Sequence, residues 1–209
     1  MSGFRKVGVY RKSRNAISYE LRAAEKDNVP IKVEIDMDFE PSGFRRQVGS
    51  LAEQWQQSGL PSRAVLEEKG RELASQRTLS GGRGLWDVQP LMVTATLDDG
   101  LGQGLMIIHQ FAEAVGIRIL SLGLMQSPER IISVCQKEEP DFLGLTILQF
   151  DTEEELTAIA RAVPRRTRLI CGGPVFNADS DLAERSGVHF VARHVGVFLK
   201  IVLTLSENQ

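Results

Sequence analysis

Short apolar runs alternate with longer amphipathic segments throughout the second half of the chain. The apolar runs occupy residues 91–97, 117–122, 141–148, 168–171 and 188–192. Segments with apolar residues at helical spacing lie at 105–115, 128–138, 153–163, 179–186 and 195–206. Short apolar strands that alternate with helices are typical of βα units, in which the strands run parallel and helices cover the sheet. The pattern therefore predicts a parallel sheet of five strands.

Two of the predicted helices begin with residues that favour a helix start. Ser127 offers an N-cap hydroxyl, and Pro128 occupies the first helical position. Thr152 and Glu155 have the spacing of a capping box. Together with the order of strands and helices, these starts predict a flavodoxin-like (Rossmann-like) α/β fold with helices on both faces of the sheet.

The preceding residues, 1–88, follow a less regular pattern and predict a mixed N-terminal extension. The segments with strand or helix periodicity are strands at 7–10 and 31–37 and helices at 43–57 and 62–77. A glycine-rich turn at 80–84 leads to Trp86, which we expect to pack on the domain that follows. That second domain is predicted to span residues 89–209.

The distribution of charged and apolar residues bears on whether the protein binds nucleic acid or a membrane. Residues 1–26 hold seven Lys or Arg and two Asp or Glu, but no motif for nucleic-acid recognition accompanies this basic start. No apolar run is long enough to cross a bilayer, and the N-terminus has no apolar signal-peptide core, so we expect a cytoplasmic protein without a membrane partner.

Side chains for catalysis or metal binding show no favourable spacing. The three histidines form no metal-binding pair, and Cys135 and Cys171 are interpreted as small buried hydrophobic residues. His109 is interpreted as a half-buried packing residue, and His194 as a weaker candidate for ligand contact. No nucleophile stands beside a base in any recognisable motif, so we expect neither a protein-built metal site nor catalysis by this chain alone.

Three motifs follow the predicted strands in order. The loop 99–104, Asp-Gly-Leu-Gly-Gln-Gly, follows the first strand, and Thr146-x-Leu148 and Gly172-Gly173 end the third and fourth. A dinucleotide fingerprint needs Gly-x-Gly-x-x-Gly, whereas this loop has Gly-x-Gly-x-Gly followed by Leu105. The second strand also lacks a terminal acid for a ribose, so a nucleotide site is disfavoured.

These motifs resemble those of the cobalamin (vitamin B12)-binding domain family, which includes methionine synthase and the corrinoid proteins of methyltransferase systems. The family's motifs are Asp-x-His-x-x-Gly, Ser-x-Leu and Gly-Gly, and the resemblance extends over about residues 90–207. Thr146 replaces the serine of the second motif, and Leu101 stands where the family has its cobalt-binding histidine. The run Ser121-Leu122-Gly123 also resembles the family's second strand end.

The resemblance implies cobalamin as the cofactor, with no cobalt ligand from the protein. It assigns cofactor binding to Asp99, Gly100, Leu101, Gly102, Gly104, Ser121, Thr146, Leu148, Gly172 and Gly173. In this interpretation the glycines make room for the cofactor's nucleotide tail, and Thr146 hydrogen-bonds to or flanks it. The lower face of cobalt would then carry water or nothing.

Two functions remain open at this point. The first is an accessory or carrier protein that presents a corrinoid to a partner enzyme, either a methyltransferase or a radical S-adenosylmethionine enzyme. The second is a regulatory or scaffold protein that uses a sensing or degenerate domain for protein contacts. The sequence leaves a homodimer open in both cases.

Overall fold

The chain folds into two compact units, Met1–Glu40 and Pro41–Gln209. The computed structural model describes residues 5–13, 16–22, 31–36, 41–79, 81–99 and 103–207, with side chains in 43–79, 81–99 and 104–207. The first unit holds three antiparallel strands in the order β1-β2-β3: β1 Arg5–Ser13, β2 Ala16–Arg22 and β3 Ile31–Asp36. The sequence predicted the first and third of these strands and missed the second. The side chains of the basic start lie outside the described residues.

The second unit holds a sheet of five parallel strands, as the apolar runs predict. The strands are β4 Leu91–Thr96, β5 Arg118–Gly123, β6 Phe142–Thr146, β7 Arg168–Gly172 and β8 Phe190–Val191. Their order is β5-β4-β6-β7-β8, so the chain reverses its direction of winding at β4. All four strand pairs are parallel, which confirms the flavodoxin-like fold. Ligands of such folds bind at the carboxyl ends of the strands, near this reversal.

Eight helices accompany the sheet among the described residues. Two precede it and six follow its strands: α1 Pro41–Ser58, α2 Arg63–Leu79, α3 Gln103–Ala114, α4 Pro128–Glu138, α5 Glu153–Ala162, α6 Val175–Ala178, α7 Leu182–Ser186 and α8 Val195–Ser206. Helix α3 packs against α8, and α4 packs against α5. Helices α1 and α2 add a further layer, with α1 against α8 and α2 against α3. The division predicted between residues 88 and 89 stays a prediction.

The three central strands of the sheet, β4, β6 and β7, are buried on both faces, which explains why they are almost continuously apolar. Val93, Leu143 and Leu169, on three adjacent strands, are fully buried in one hydrophobic cluster. Trp86 is also buried and packs on Phe142, with ring centroids 5.6 Å apart, as we expect from its place before the first parallel strand. None of the described helices is long and apolar enough to span a membrane.

Of the two predicted helix starts, the one at Ser127 is confirmed and the one at Thr152 is not. The Ser127 side chain accepts a hydrogen bond from the Arg130 N–H, and Pro128 begins α4, as predicted. The predicted capping box at Thr152 is wrong. A 3-10 turn, Phe150–Thr152, leads directly into α5, and the Thr152 hydroxyl donates to the Gln149 carbonyl at 2.8 Å instead of accepting from the helix.

The last part of the sheet is shorter than predicted. The helix expected at 179–186 begins only at Leu182, as α7, and a separate short helix, α6, precedes the predicted range. In the loop between them the Asp179 carboxylate accepts from the N–H groups of Asp181 and Leu182. The strand expected at 188–192 pairs with β7 over only two residues. An Asp side chain that binds nearby backbone N–H groups favours a turn over a continuous helix.

Candidate functional site

A cavity of about 590 Å³ lies at the carboxyl ends of β4, β6 and β7. Its walls include the start of α3, the loop after β7 and the loop between β8 and α8. A narrow neighbouring space of about 40 Å³ shares Leu105, Thr146 and Gly172 with it and reaches Gly144 and Cys171 inside the sheet. A volume of this size is typical of sites for small molecules and parts of cofactors.

Five of the ten residues predicted to bind the cofactor line this cavity: Gly104, Thr146, Leu148, Gly172 and Gly173. They come from three separate stretches of the chain, which the parallel sheet brings together at one edge. Most of the remaining lining is apolar. Arg193 is the one charged side chain among the described residues that line the cavity.

The other five predicted residues lie elsewhere or outside the described part of the chain. Ser121 is exposed on the edge strand β5 and does not line the cavity. Asp99 is exposed and lines a second, acidic cleft of about 330 Å³ with Asp98 and Asp151. Gly100, Leu101 and Gly102 lie outside the described residues, so their predicted roles stay predictions.

The two glycines at the end of β7 are required by the protein's own backbone. A Cβ atom at Gly172 would lie 2.8 Å from the Ala192 carbonyl oxygen. At Gly173 the φ angle is +124°, and a Cβ atom would collide with the Ile147 carbonyl oxygen. Side chains at these positions would therefore push neighbouring strands apart. This close packing is a reason for the glycine pair that is independent of any ligand.

Gly104 differs, because no described atom outside its own helix backbone lies within 4 Å of the place where its Cβ atom would be. It is a helical residue, exposed at the start of α3, and lines the cavity. Glycine is unfavourable inside a helix, by about 1 kcal/mol relative to alanine. No contact within the described chain requires it, and its predicted role in ligand binding stays a prediction.

Thr96 carries a buried hydroxyl that has no hydrogen-bond partner among the described residues. The residue ends β4, is 0% exposed and lines the cavity. An unsatisfied buried hydroxyl destabilises a protein by about 1–3 kcal/mol. Ser186 has another such hydroxyl away from the cavity, so it is the place of Thr96 in the cavity lining that makes it a candidate contact for a ligand. Sequence reasoning missed Thr96 because it treated 91–97 only as an apolar strand. A hydroxyl residue at the carboxyl end of a buried strand was the available signal.

His194 is a second polar group with an unpaired buried atom at the cavity. Its Nδ1 atom is buried without a partner in the described part of the chain, and its side chain caps no N–H of α8. Burial lowers the pKa of His194, so the neutral imidazole is favoured at neutral pH. The histidine predicted as a weaker candidate thus lies on the cavity wall.

Asp98, which the sequence analysis did not single out, connects the loops around the cavity. It is 6% exposed, and its Oδ2 atom accepts from the Leu148 N–H at 2.7 Å. Its carbonyl oxygen accepts from the Met125 N–H at 3.1 Å. One residue therefore holds together the loops that follow β4, β5 and β6. The sequence pattern that could have indicated Asp98 is an acidic residue directly after the first predicted strand. The motif in loop 99–104 pointed to the neighbouring Asp99 instead.

His109 fixes α3 to the sheet and does not line the cavity. Its Nε2 atom lies 2.8 Å from the hydroxyl of the fully buried Thr94. Burial lowers the pKa of His109, although the nearby Glu113 carboxylate partly opposes this effect. This agrees with its interpretation as a half-buried packing residue.

The described residues hold no group of three His, Cys, Asp or Glu side chains that could bind a metal ion. Both cysteines are buried and free, as predicted. Burial raises the pKa of Cys135 to about 11 and raises that of Cys171 further. At neutral pH neither thiol is therefore a thiolate ready to act as a nucleophile or ligand.

The fold and the cavity together define a doubly wound α/β domain with a cavity at the carboxyl edge of its sheet. The family model of the B12 binding domain matches residues 91–197, just over half of the chain. The chain belongs to this family, as the three motifs predict.

Solved structures of corrinoid proteins share the fold. A cobalamin-binding protein from Desulfitobacterium hafniense superposes with a TM-score of 0.65, at 19% identity, over 78% of this chain and 80% of its own. The monomethylamine corrinoid protein of Methanosarcina barkeri gives 0.52 at 13% identity, over 78% and 96%. The methanol:cobalamin methyltransferase complex of the same organism gives 0.56 at 15% identity, over 80% and 66%. No curated protein matches the sequence.

Proposed function

We propose that this protein binds cobalamin, with the nucleotide tail in the cavity, and presents the corrinoid to a partner enzyme. The observation that carries the proposal is the cavity itself. Most of its lining belongs to the matched family domain, including Gly104 from α3, Thr146 and Leu148 from the end of β6, and Thr96, whose buried hydroxyl has no partner among the described residues. When bound, cobalamin supplies a cobalt centre for methyl transfer or for radical chemistry.

The chemistry of the cavity fits a nucleotide tail, which combines an aromatic base, a sugar and a phosphodiester. Leu105 and Ile108 supply apolar walls for the base. The hydroxyls of Thr96 and Thr146 and the Nδ1 atom of His194 can hydrogen-bond to its polar atoms. Arg193 can pair with the phosphodiester.

The residue at position 101 would determine whether the protein supplies a ligand to the cobalt. Leu101 has no atom that ligates a metal, so at this position the chain would hold a corrinoid without supplying a nitrogen ligand to its cobalt. Asp99 would then have no histidine to orient and serve as a loop carboxylate. This arrangement distinguishes the protein from carriers that tune cobalt through imidazole.

The proposal includes a partner enzyme, which would carry out the reaction at the cobalt. One of the similar structures is a methanol:cobalamin methyltransferase complex, which supports a partner in methyl transfer. A radical S-adenosylmethionine enzyme is the other partner class. The described residues that line the cavity would bind and orient the corrinoid. None of them is placed as a nucleophile or general base.

The proposal is tested by loading the purified protein with hydroxocobalamin, desalting it and recording the visible spectrum. We expect a retained chromophore with the spectrum of an extracted tail. After reduction to cob(II)alamin, the electron paramagnetic resonance spectrum should lack nitrogen splitting, and Leu101→His should introduce it. Loss of all colour at micromolar protein would contradict the proposal and favour the regulatory or scaffold function.

Replacement of Thr96 by valine should have opposite effects on stability and binding. Removal of the unpaired hydroxyl should raise the free energy of unfolding of the apoprotein by about 1 kcal/mol. The same change should weaken cobalamin binding about fivefold, because one hydrogen bond is lost. Urea denaturation and a spectral titration measure the two quantities.

Thr94→Val is the matched control for this experiment. Thr94 lies two residues earlier on β4 and is equally buried, but its hydroxyl pairs with His109. Its replacement should lower the free energy of unfolding by about 2 kcal/mol, since it leaves the imidazole nitrogen unpaired. If both variants were destabilised to the same extent, the Thr96 hydroxyl would have a partner in solution.

A further inference from the structure

We infer that the narrow space beside the cavity selects the base of the nucleotide tail, taking a base with an apolar edge and rejecting one with hydrogen-bonding groups there. This inference rests on the proposed function and deepens it, since it names the class of corrinoid that the site takes. The narrow space shares Leu105, Thr146 and Gly172 with the cavity and has a volume of about 40 Å³, so only the edge of a flat ring can enter it. The base is the flat group of the tail.

The narrow space lies between the sheet and two helices. Gly144 of β6 and Gly172 of β7 line it on the side of the sheet. Leu105 and Ile108 of α3 and Phe198 of α8 line it on the side of the helices. Because both sheet positions are glycines, the space reaches the strand backbone. A flat group that enters would therefore lie against backbone and apolar side chains.

Met92 closes the inner end of the narrow space. It lies four residues before Thr96 on β4, away from the cavity, and is 1% exposed. A Cβ atom at Gly144 would collide with the terminal methyl group of Met92, so this methyl group takes the place of a side chain at position 144. Methionine is unbranched and makes favourable contacts with aromatic rings. The inner end is thus formed by an apolar group suited to a ring.

The rest of the inner end offers no free hydrogen-bonding side chain among the described residues. Ile170 and Phe198 are 3% and 0% exposed there. The Cys171 thiol is fully buried and hydrogen-bonded to the backbone of Leu145. The one hydroxyl among the described lining residues belongs to Thr146, at the end shared with the cavity. A polar edge of a base would therefore lose its water at the inner end without a new partner, which opposes binding.

The test compares cobalamin, whose dimethylbenzimidazole base has a methylated edge, with pseudocobalamin, whose adenine base carries an amino group. Met92→Gln nearly conserves the side-chain volume and adds an amide at the inner end. It should weaken cobalamin binding about tenfold, because the methylated edge removes water from that amide without replacing its hydrogen bonds. The affinity for pseudocobalamin should rise or change by less than about twofold. Spectral titration measures both affinities, and since each corrinoid is compared with itself, the cost of detaching its tail from cobalt cancels.

Ile108→Gln is a second variant that disturbs the core less. Ile108 is half-buried and lines both the cavity and the narrow space, and its replacement should shift the two affinities in the same directions. Tryptophan fluorescence checks that each variant is folded. Met106→Gln is the matched control, since Met106 is 61% exposed on the same helix and lines neither space. It should leave both affinities unchanged.

The outcomes separate this inference from the proposed function. Equal changes for the two corrinoids, or no change, in the folded glutamine variants would overturn the selection of the base while cobalamin binding stands. Cobinamide, which lacks the nucleotide tail, should bind all variants alike, and a loss that it shared would also contradict the inference. Failure of the unsubstituted protein to bind any of these corrinoids would overturn both.

Discussion

Gly104→Phe should weaken cobalamin binding by at least about a hundredfold, while the fold stays intact. Gly104 lines the cavity, and a Cβ atom there would meet no described atom outside the backbone of its own helix, so a larger side chain can begin without a collision. The phenylalanine ring would occupy volume that the ligand needs. Titration of the apoprotein with hydroxocobalamin, followed by its visible spectrum, measures the loss. Thermal unfolding should be nearly unchanged or slightly improved, because glycine is a poor helix residue.

Met106→Phe provides the matched control on the same helix. Met106 is 61% exposed and does not line the cavity. It receives a side chain of the same shape, two residues away, and should bind cobalamin with unchanged affinity. Wild-type affinity in Gly104→Phe would mean that cobalamin binds elsewhere. A loss shared by both variants would point to a general disturbance of α3.

Gly173→Ala should lower the free energy of unfolding by about 3 kcal/mol or more. Two effects combine at this position: a positive φ angle of +124° and a collision of the new methyl group with the Ile147 carbonyl oxygen. The adjacent Ile147 N–H donates to the Gly172 carbonyl at 2.9 Å, so the strands cannot separate without loss of that hydrogen bond. The buried Trp55 and Trp86, the chain's two tryptophans, report urea unfolding of the second unit.

Gly187→Ala isolates the contribution of the φ angle. Gly187 ends α7 with a φ of +76°, but its Cβ atom would meet only the Ala160 side chain at 3.5 Å, an ordinary contact. This variant should lose about 1–2 kcal/mol. A similar loss at both positions would show that the backbone near Ile147 relaxes easily, contrary to the packing argument.

The parallel sheet could be predicted because its signal is local and repeated. Each buried strand is a short apolar run, and each following helix has its own periodicity, so the order of elements can be deduced without tertiary information. Motif spacing then placed Thr146, Leu148 and the glycine pair at one edge, since the carboxyl ends of parallel strands meet there.

Other parts of the site depend on contacts between distant residues. Leu60 and Leu66 reach the cavity only because α1 and α2 pack on α8 and α3, and no periodicity reports such packing. The capping box at Thr152 was wrong because a preceding 3-10 turn redirects the hydroxyl to Gln149. The unpaired state of Thr96 becomes visible only when its neighbours are known. Local propensity cannot supply any of these facts.

The hydrogen bond from Leu148 to Asp98 has a mechanical consequence for the edge of the sheet. The buried Asp98 carboxylate joins the loops after β4 and β6, and the backbone carbonyl of Asp98 accepts a hydrogen bond from Met125. Displacement of one loop therefore strains the other two. Leu148 and Met125 are thus connected through a single residue, Asp98. A displacement of Leu148 would therefore be transmitted to the surface beside Met125 without any hinge between domains.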